Sequence, residues 1–202
     1  MHSIEQLEQQ LEQAATDEER FKLFFEIASR PYQYGVTRGK QACQSAEEAA
    51  YNIGDIHRII KTYWCYMRQH SYSGEYEQAI EYYEKGLELL NSQSEANLLS
   101  YSMLYRGMAE ILWSQGKLKE AEKMAKNALE TALEGKSDEK HLAYLYQLLG
   151  IVEKGQRRLA DALENFHLAL EASHNSGVAI VECNICNWLG MTYEDLGDLE
   201  EA

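Results

Sequence analysis

The segment GEYEQAIEYYEKGL, residues 74–87, contains the pattern that decides the fold. A glycine is followed by an alanine, then by aromatic residues and a small residue at helical spacing. The alanine and the small residue recur further along the chain. The central alanines are Ala79, Ala121, Ala162 and Ala202, spaced 42, 41 and 40 residues apart. A fixed period of this length predicts a repeat protein in which each repeat is one supersecondary unit.

A weaker copy lies upstream, where Gly39 takes the alanine place and Ala46 the following small place, 40 residues before Ala79. Gly54 closes this copy as Gly177 closes a later one. We therefore predict five repeats, with markers near residues 39, 79, 121, 162 and 202. The last repeat is cut short, so we expect these residues to be the N-terminal piece of a longer protein.

The composition favours helices throughout the chain. Pro31 is the only proline in 202 residues, and 45% of the residues are hydrophobic. Proline removes an amide donor and clashes with the preceding helical turn, so long stretches without it suit continuous helices. Glu, Gln, Leu, Ala and Lys are abundant and are good helix formers. An all-α protein is predicted.

The first halves of the repeats carry a second motif. NWLGMTY, residues 187–193, places Leu-Gly between a tryptophan and a tyrosine, and Leu149-Gly150 follows Tyr146 in the repeat before. These residues resemble the tetratricopeptide repeat consensus over about residues 17–202. The resemblance implies a right-handed α–α superhelix of antiparallel helix pairs, A and B, forming one domain over residues 1–202. The repeats are longer than the usual unit of about 34 residues, as in kinesin light chains and bacterial regulatory proteins.

Residues 1–16 precede the repeats and are predicted to form a lead helix that caps the solenoid. The helix covers about Ile4 to Ala15, with an apolar stripe at three- and four-residue spacing. Thr16 and Glu19 have the spacing of a capping box, so helix A of repeat 1 begins there. Pro31 is expected to end that helix.

Glycines are predicted to form the turns between helices A and B. Gly74, Gly116 and Gly197 each precede a B helix by a few residues. A helix often ends on a residue with a positive φ, which glycine adopts without steric cost. We expect a positive φ at all three.

The charge excludes several partners. Lys and Arg number 19 against 33 Asp and Glu, giving a net charge of −14. Nucleic-acid binding needs a basic surface, and anionic membranes also attract basic segments. No apolar run is long enough to span a bilayer, and the first residues lack a signal-peptide pattern. We predict a cytoplasmic protein that binds neither nucleic acid nor membrane.

The sequence offers little for catalysis or for a cofactor. Cys183 and Cys186 could share a helix face and bind a metal or act as a redox pair, but no second cysteine pair accompanies them. The repeat phase instead predicts that Cys186 is a small core residue. The six histidines form no cluster, and no glycine-rich phosphate loop or Gly-x-Ser-x-Gly motif is present. No enzyme activity, metal or cofactor is predicted, and all four cysteines are expected to be free thiols.

The family resemblance implies that helix A lines a concave peptide-binding surface. In repeat 2, helix A carries only basic charges between His57 and Ser73, whereas helix B from Glu75 to Leu90 is strongly acidic. A basic, aromatic groove suits an extended peptide with carboxylates and an apolar anchor. Pairing of these cations with acids of adjoining helices is the alternative. The candidate groove residues are Lys61, Trp64, Arg68, Arg106, Trp113, Tyr144, Gln147, Lys154, Asn184 and Asn187, with Glu110 among them.

We therefore predict a protein- or peptide-interaction module with a carboxylate-bearing partner. By family analogy it is the N-terminal sensory or scaffold part of a larger bacterial regulatory protein. One alternative is a homo-oligomerisation module, with a homodimer formed through the uncapped C-terminal repeat. A receptor domain of the peptide-pheromone type is another. The Lys-x-x-x-Asn clamp of chaperone-binding relatives is not reproduced, because Lys123 and Asn127 fall on a B helix.

Overall fold

A computed structural model describes residues 3–95, 97–177 and 179–197, except for the side chains of residues 179 and 180. All regular structure in these ranges is α-helical, as the composition predicted. None of the described helices combines the length and hydropathy needed to cross a membrane. The helices are α1 Ile4–Gln13, α2 Asp17–Ala28, α3 Pro31–Tyr34, α4 Val36–Ile53, α5 Ile56–Tyr72, α6 Tyr76–Asn91, α7 Leu98–Ser114, α8 Leu118–Glu134, α9 Glu139–Gly155, α10 Leu159–Ser176 and α11 Ala179–Leu196.

The predicted repeat markers lie on B helices. Gly39 is on α4, Ala79 on α6, Ala121 on α8 and Ala162 on α10, and all four are buried. Small buried residues let neighbouring helices approach closely. Helix A is α2, α5, α7, α9 and α11 in successive repeats, so the phase read from the sequence is correct. The fifth marker, Ala202, lies outside the described residues.

The turns between A and B helices use a residue with positive φ. Gly74 and Gly116 have φ of +74° and Gly197 has φ of +79°, as predicted. In repeat 4 the equivalent residue is Arg157, with φ of +64°. Left-handed backbone costs a residue that has a Cβ about 1–2 kcal/mol. The hydrogen bonds of the turn therefore hold Arg157 in a conformation that its side chain disfavours.

The N-terminal segment follows the predicted order with small shifts. α1 ends at Gln13 rather than at Ala15, and the Thr16–Glu19 capping box is present. Leu7 on α1 is completely buried. α2 ends at Ala28 with Ser29 as its C-cap residue, shortly before Pro31 as predicted, and Pro31 begins the short helix α3, which the sequence did not predict. Proline restricts the residue before it to extended backbone and suits the first position of a helix.

The chain divides into two compact units, residues 1–111 and 112–202, here called the N-terminal and C-terminal units. The boundary falls within α7. In the N-terminal unit the core is built around Ile60, Met67 and Leu104. A single solenoid domain over residues 1–202 stays a prediction.

The core of the C-terminal unit shows how the Leu-Gly motif works. A Cβ at Gly150 would lie 2.6 Å from the ring of Phe166, so only glycine leaves room for this phenylalanine. Phe166 is completely buried and stacks on Trp188, with ring centroids 6.3 Å apart. The consensus glycine of helix A and the aromatic residue of helix B therefore complement each other in volume.

An ionic network joins α8 to the α9–α10 turn. Arg158 Nη2 lies 2.8 Å from a Glu122 oxygen and 3.5 Å from the buried Glu153. A hydrogen bond from Lys126, together with one from Gln156 and the charge of Arg158, lowers the pKa of Glu122 to about 2. Burial raises the pKa of Glu153. Glu122 thus stabilises the fold when ionised, which makes the network sensitive to acid.

Candidate peptide-binding face

The basic residues of α5 lie along one stripe of that helix. Arg58, Lys61 and Arg68 recur at a spacing that returns to the same side of the helix, and Trp64 falls among them. Asp55 begins the helix by accepting a hydrogen bond from the Arg58 amide, and α5 itself contains no acidic residue. The sequence therefore builds a face of cations and one large aromatic ring.

Each of these cations is seated on an aromatic ring. Arg58 lies 5.5 Å from the ring centroid of Phe21, and Lys61 lies 6.0 Å from that of Phe25. Phe21 and Phe25 stack on each other on α2, with centroids 5.8 Å apart. Such contacts hold a flexible cationic side chain in place while its charge still faces outward.

Trp64 is the centre of this arrangement. The guanidinium carbons of Arg68 and of Arg106, which comes from α7, lie 4.8 and 4.9 Å from its ring centroid. Phe25 also contacts it, with centroids 6.3 Å apart. The resulting set spans three A helices of the N-terminal unit, and we call it the cation–aromatic row. Its members are Phe21, Phe25, Arg58, Lys61, Trp64, Arg68 and Arg106.

Some of these cations already pair with acids of neighbouring helices. Arg58 forms an ion pair with Glu18 of α2. Glu110 of α7 lies 2.9 Å from Arg106 and 3.8 Å from Arg68. The pairing considered as the alternative to a peptide groove therefore occurs in part. Glu110 is one carboxylate beside two guanidiniums, so the local charge stays positive.

A neighbouring histidine adds no charge to the row. His57 lies on α5 and its Nδ1 is 2.8 Å from the hydroxyl of the buried Ser100 on α7. Burial, with the nearby charge of Lys61, lowers the pKa of His57 to about 4. The imidazole is therefore neutral at physiological pH, and the positive potential comes from lysine and arginine.

Charge separates sharply between the two helices of repeat 2. α6 carries Glu77, Glu81, Glu84 and Glu88, and its N-cap residue is Glu75. Lys85 is the basic residue of α6 and lies 4.7 Å from the ring centroid of Tyr82. Helices α5 and α6 of repeat 2 therefore carry charges of opposite sign.

The remaining predicted groove residues lie in the C-terminal unit. Lys154 forms an ion pair with Asp195 of α11. Tyr144 and Gln147 are half-buried on α9, and Trp113, Asn184 and Asn187 are exposed. Of the predicted set, Lys61, Trp64, Arg68 and Arg106 are brought together. Their role in peptide binding stays a prediction.

The sequence interpretation missed Phe21 and Phe25 as parts of this face. Both lie in the segment predicted to form helix A of repeat 1, and no role was predicted for them. Their i, i+4 spacing was visible and predicts a shared side of the helix. What the sequence could not show is that this side meets the basic stripe of α5.

The prediction that Cys186 is a core residue was wrong. Cys183 and Cys186 are both exposed, whereas Cys43 and Cys65 are buried. α11 buries Val181, Ile185 and Leu189 instead, at spacings that return to one side of the helix, and Cys186 lies off that side. Within the described ranges, no group of three or more His, Cys, Asp and Glu side chains could hold a metal ion.

Comparison with known proteins assigns the family. The sequence profile described as the MalT-like TPR region matches residues 31–202. The chain belongs to this tetratricopeptide repeat family. The recognition made from the Leu-Gly and alanine motifs is therefore confirmed. A search of curated proteins returned no significant match.

One solved structure shares the overall fold, and a second is similar over part of the chain. BtubC (BKLC) from P. vanneervenii aligns over 97% of this chain and 86% of its own, with a TM-score of 0.65 and 20% identity. The N-terminal domain of stress-induced protein-1 (STI-1) from C. elegans aligns over 65% of this chain and 97% of its own, with a TM-score of 0.47 and 18% identity. The predicted class, an all-α superhelix of helix pairs, is confirmed. As a member of the MalT-like TPR family, the chain is a protein-interaction or scaffold module.

Proposed function

We propose that the N-terminal unit binds an extended, acidic segment of a partner protein along the cation–aromatic row. One observation carries this proposal. Three cations of α5 and Arg106 of α7 each lie over an aromatic ring, and two of these rings come from α2. The chain as a whole has a net charge of −14, so this concentration of positive charge runs against the composition.

The energetics favour a peptide with carboxylates rather than a neutral one. A cation stacked on an aromatic ring has already lost much of its side-chain freedom, so binding costs less conformational entropy. Carboxylates then form charge-assisted hydrogen bonds, which are stronger than neutral ones. The acidic face of α6 disfavours the same peptide elsewhere in repeat 2 and so adds specificity.

Two matched charge reversals test the proposal. Lys61→Glu and Lys85→Glu change the net charge equally, and both lysines sit on an aromatic ring. Only Lys61 belongs to the row. The probes are two pools of random decapeptides, one with glutamate and one with glutamine at alternating positions, measured by fluorescence anisotropy.

We expect wild type to bind the glutamate pool more tightly than the glutamine pool. Lys61→Glu should weaken this binding about tenfold, whereas Lys85→Glu should leave it within about twofold. Equal binding of the two pools by wild type, or equal loss in the two variants, contradicts the proposal.

The larger setting is a second part of the proposal. The long repeats resemble those placed ahead of output domains in bacterial regulatory proteins, so the module would act there as a sensory or scaffold part. The test is the coding sequence after residue 202. An output domain in the same reading frame supports this setting, and a stop codon there contradicts it.

Self-association is a second candidate function, favoured by apolar side chains on α11. Met191 is 41% exposed and Leu196 is 49% exposed. Such side chains can form a contact between two copies of the chain. Light scattering over a hundredfold range of protein concentration decides this. A monomer at every concentration removes the candidate.

A further inference from the structure

Two buried donors at the centre of the cation–aromatic row lack a hydrogen-bond acceptor. The Trp64 side chain is 5% exposed, and its indole Nε1 has no hydrogen-bond partner among the described residues. The Nε of Arg68 is buried and likewise makes no hydrogen bond in the described part of the chain. Nearly all buried donors in native proteins are paired, so two unpaired donors on neighbouring side chains point to a missing acceptor.

The geometry around these donors shows why Glu110 does not supply that acceptor. Its Oε1 lies 2.9 Å from the Arg106 Nε, a good hydrogen-bond distance. Its Oε2 lies 3.8 Å from the Arg68 Nε, which is too long for a hydrogen bond. Glu110 therefore serves Arg106 and attracts Arg68 only as a charge.

From this we infer that Trp64 Nε1 and Arg68 Nε form a subsite for one side-chain carboxylate of the partner segment. The inference rests on the proposed function, since the carboxylate belongs to the acidic peptide of that proposal. A carboxylate fits because its two oxygens can accept hydrogen bonds from two different donors at once. The positive charge around Trp64 favours it over a neutral carbonyl.

Glu110 has a second role in this arrangement. It stands beside the subsite as a carboxylate of the chain itself and repels an incoming one. The side chains of Arg68 and Glu110 are 18% and 25% exposed, whereas both donor atoms are buried, so an incoming carboxylate reaches the donors by displacing part of these two side chains. Removing the charge of Glu110 should therefore strengthen peptide binding, although it also removes a partner of Arg106.

The experiment follows the indole N–H signals by NMR on ¹⁵N-labelled protein. The three tryptophans, Trp64, Trp113 and Trp188, give three such signals, which single substitutions to phenylalanine assign. The probe is hexaglutamate with both ends capped, so that only side-chain carboxylates are present. Capped hexaglutamine and potassium chloride at matched ionic strength are the controls.

We expect hexaglutamate alone to move the Trp64 indole signal downfield, as a new hydrogen bond does. Trp64→Phe keeps an aromatic ring, though a smaller one, and removes the donor, and it should weaken hexaglutamate binding about tenfold, the usual effect of losing a hydrogen bond to a charged group. Trp188→Phe is the matched control in the C-terminal unit and should bind as wild type does. Glu110→Gln should tighten binding about threefold or more, by removal of a like charge.

The outcomes separate this inference from the proposed function. If hexaglutamate shifts backbone signals of α5 but leaves the Trp64 indole signal in place, and Trp64→Phe binds as wild type does, the subsite is refuted and the peptide face remains. If hexaglutamate does not bind at millimolar concentration, both are refuted. An equal shift with potassium chloride shows a site for small anions and overturns the inference. If Trp64→Phe fails to fold, the Trp113→Phe and Trp188→Phe variants assign the wild-type signal by elimination.

Discussion

Replacing Gly39 by alanine restores the repeat consensus, yet the structure predicts that it destabilises the protein. Gly39 occupies the place that Ala79, Ala121 and Ala162 hold in later repeats. Alanine is favoured over glycine in a helix interior by up to about 1 kcal/mol. From the pattern alone, Gly39→Ala should therefore stabilise α4.

The structure reverses the sign of this effect. A Cβ at residue 39 would lie 2.2 Å from the Nε2 atom of Gln69 and 2.3 Å from its Cδ. Gln69 is completely buried, and its Nε2 donates a 2.6 Å hydrogen bond to the Ala28 carbonyl near the end of α2. The side chain can swing away only by breaking this bond, which costs about 1–3 kcal/mol. Overpacking adds about 1–3 kcal/mol where the movement is blocked.

The net expectation for Gly39→Ala is a loss of about 2 kcal/mol in the free energy of unfolding, after the gain in helix propensity. Chemical denaturation followed by circular dichroism measures it as a lower midpoint at an unchanged slope. Because repeat proteins can unfold in stages, hydrogen exchange of the α4 amides should accompany the denaturation curve.

A second background tests the cause. In Gln69→Ala the obstructing side chain is gone, so adding Gly39→Ala should be neutral or stabilising by up to about 1 kcal/mol. The two changes should then show a coupling energy of about 2 kcal/mol or more. A stabilised Gly39→Ala single variant, or the same loss in both backgrounds, refutes the reasoning.

Three further predictions follow from the structure. Arg157→Gly relieves a left-handed residue and should stabilise the C-terminal unit by about 0.5–1 kcal/mol, seen as a raised denaturation midpoint; an unchanged or lower midpoint contradicts the strain. The hydrogen bond from Lys126 helps to lower the pKa of Glu122 to about 2, so the stabilisation by ionised Glu122 is complete above the unfolded pKa of about 4.5 and is lost as the pH falls towards 2. Glu122→Gln should lower the free energy of unfolding by about 1–2 kcal/mol at pH 7 and flatten the fall of stability in acid. Parallel curves of stability against pH for the two proteins contradict this. In the folded protein, a thiol reagent should modify Cys183 and Cys186 quickly and the two buried cysteines only on unfolding, so reaction of all four at one rate would refute the burial.

Much of the candidate site could be predicted from the sequence, because its basic stripe lies on one helix. The basic stripe of α5 follows from the spacing of Lys61 and Arg68, and the position of Trp64 follows from the same spacing. The clustering of these residues with Arg106 could not be predicted from the sequence, because it requires α5 and α7 to lie side by side. The unpaired indole N–H of Trp64 could not be predicted either, since only the surrounding residues decide whether a donor has an acceptor.

The exposure of Cys186 shows how accurately the repeat phase predicts which side of a helix is buried. The repeat phase gives the buried side of a helix to within about one residue, and Ile185 rather than Cys186 faces the core. One residue corresponds to about 100° around a helix, so a small error in phase moves a side chain from the core to the surface.

By itself the sequence determined the family, the A and B helix pairs of the repeats, and the glycine turns at Gly74 and Gly116. These features depend on local spacing and backbone conformation, which residues a few positions apart control. Only the tertiary structure decided why Gly39 replaces alanine and which rings hold the cations of α5. Those outcomes depend on side chains that are some 30 to 40 residues apart in the chain but in contact in the fold. In a closely packed interior, these contacts decide whether a Cβ fits at residue 39 and which ring lies beside each cation.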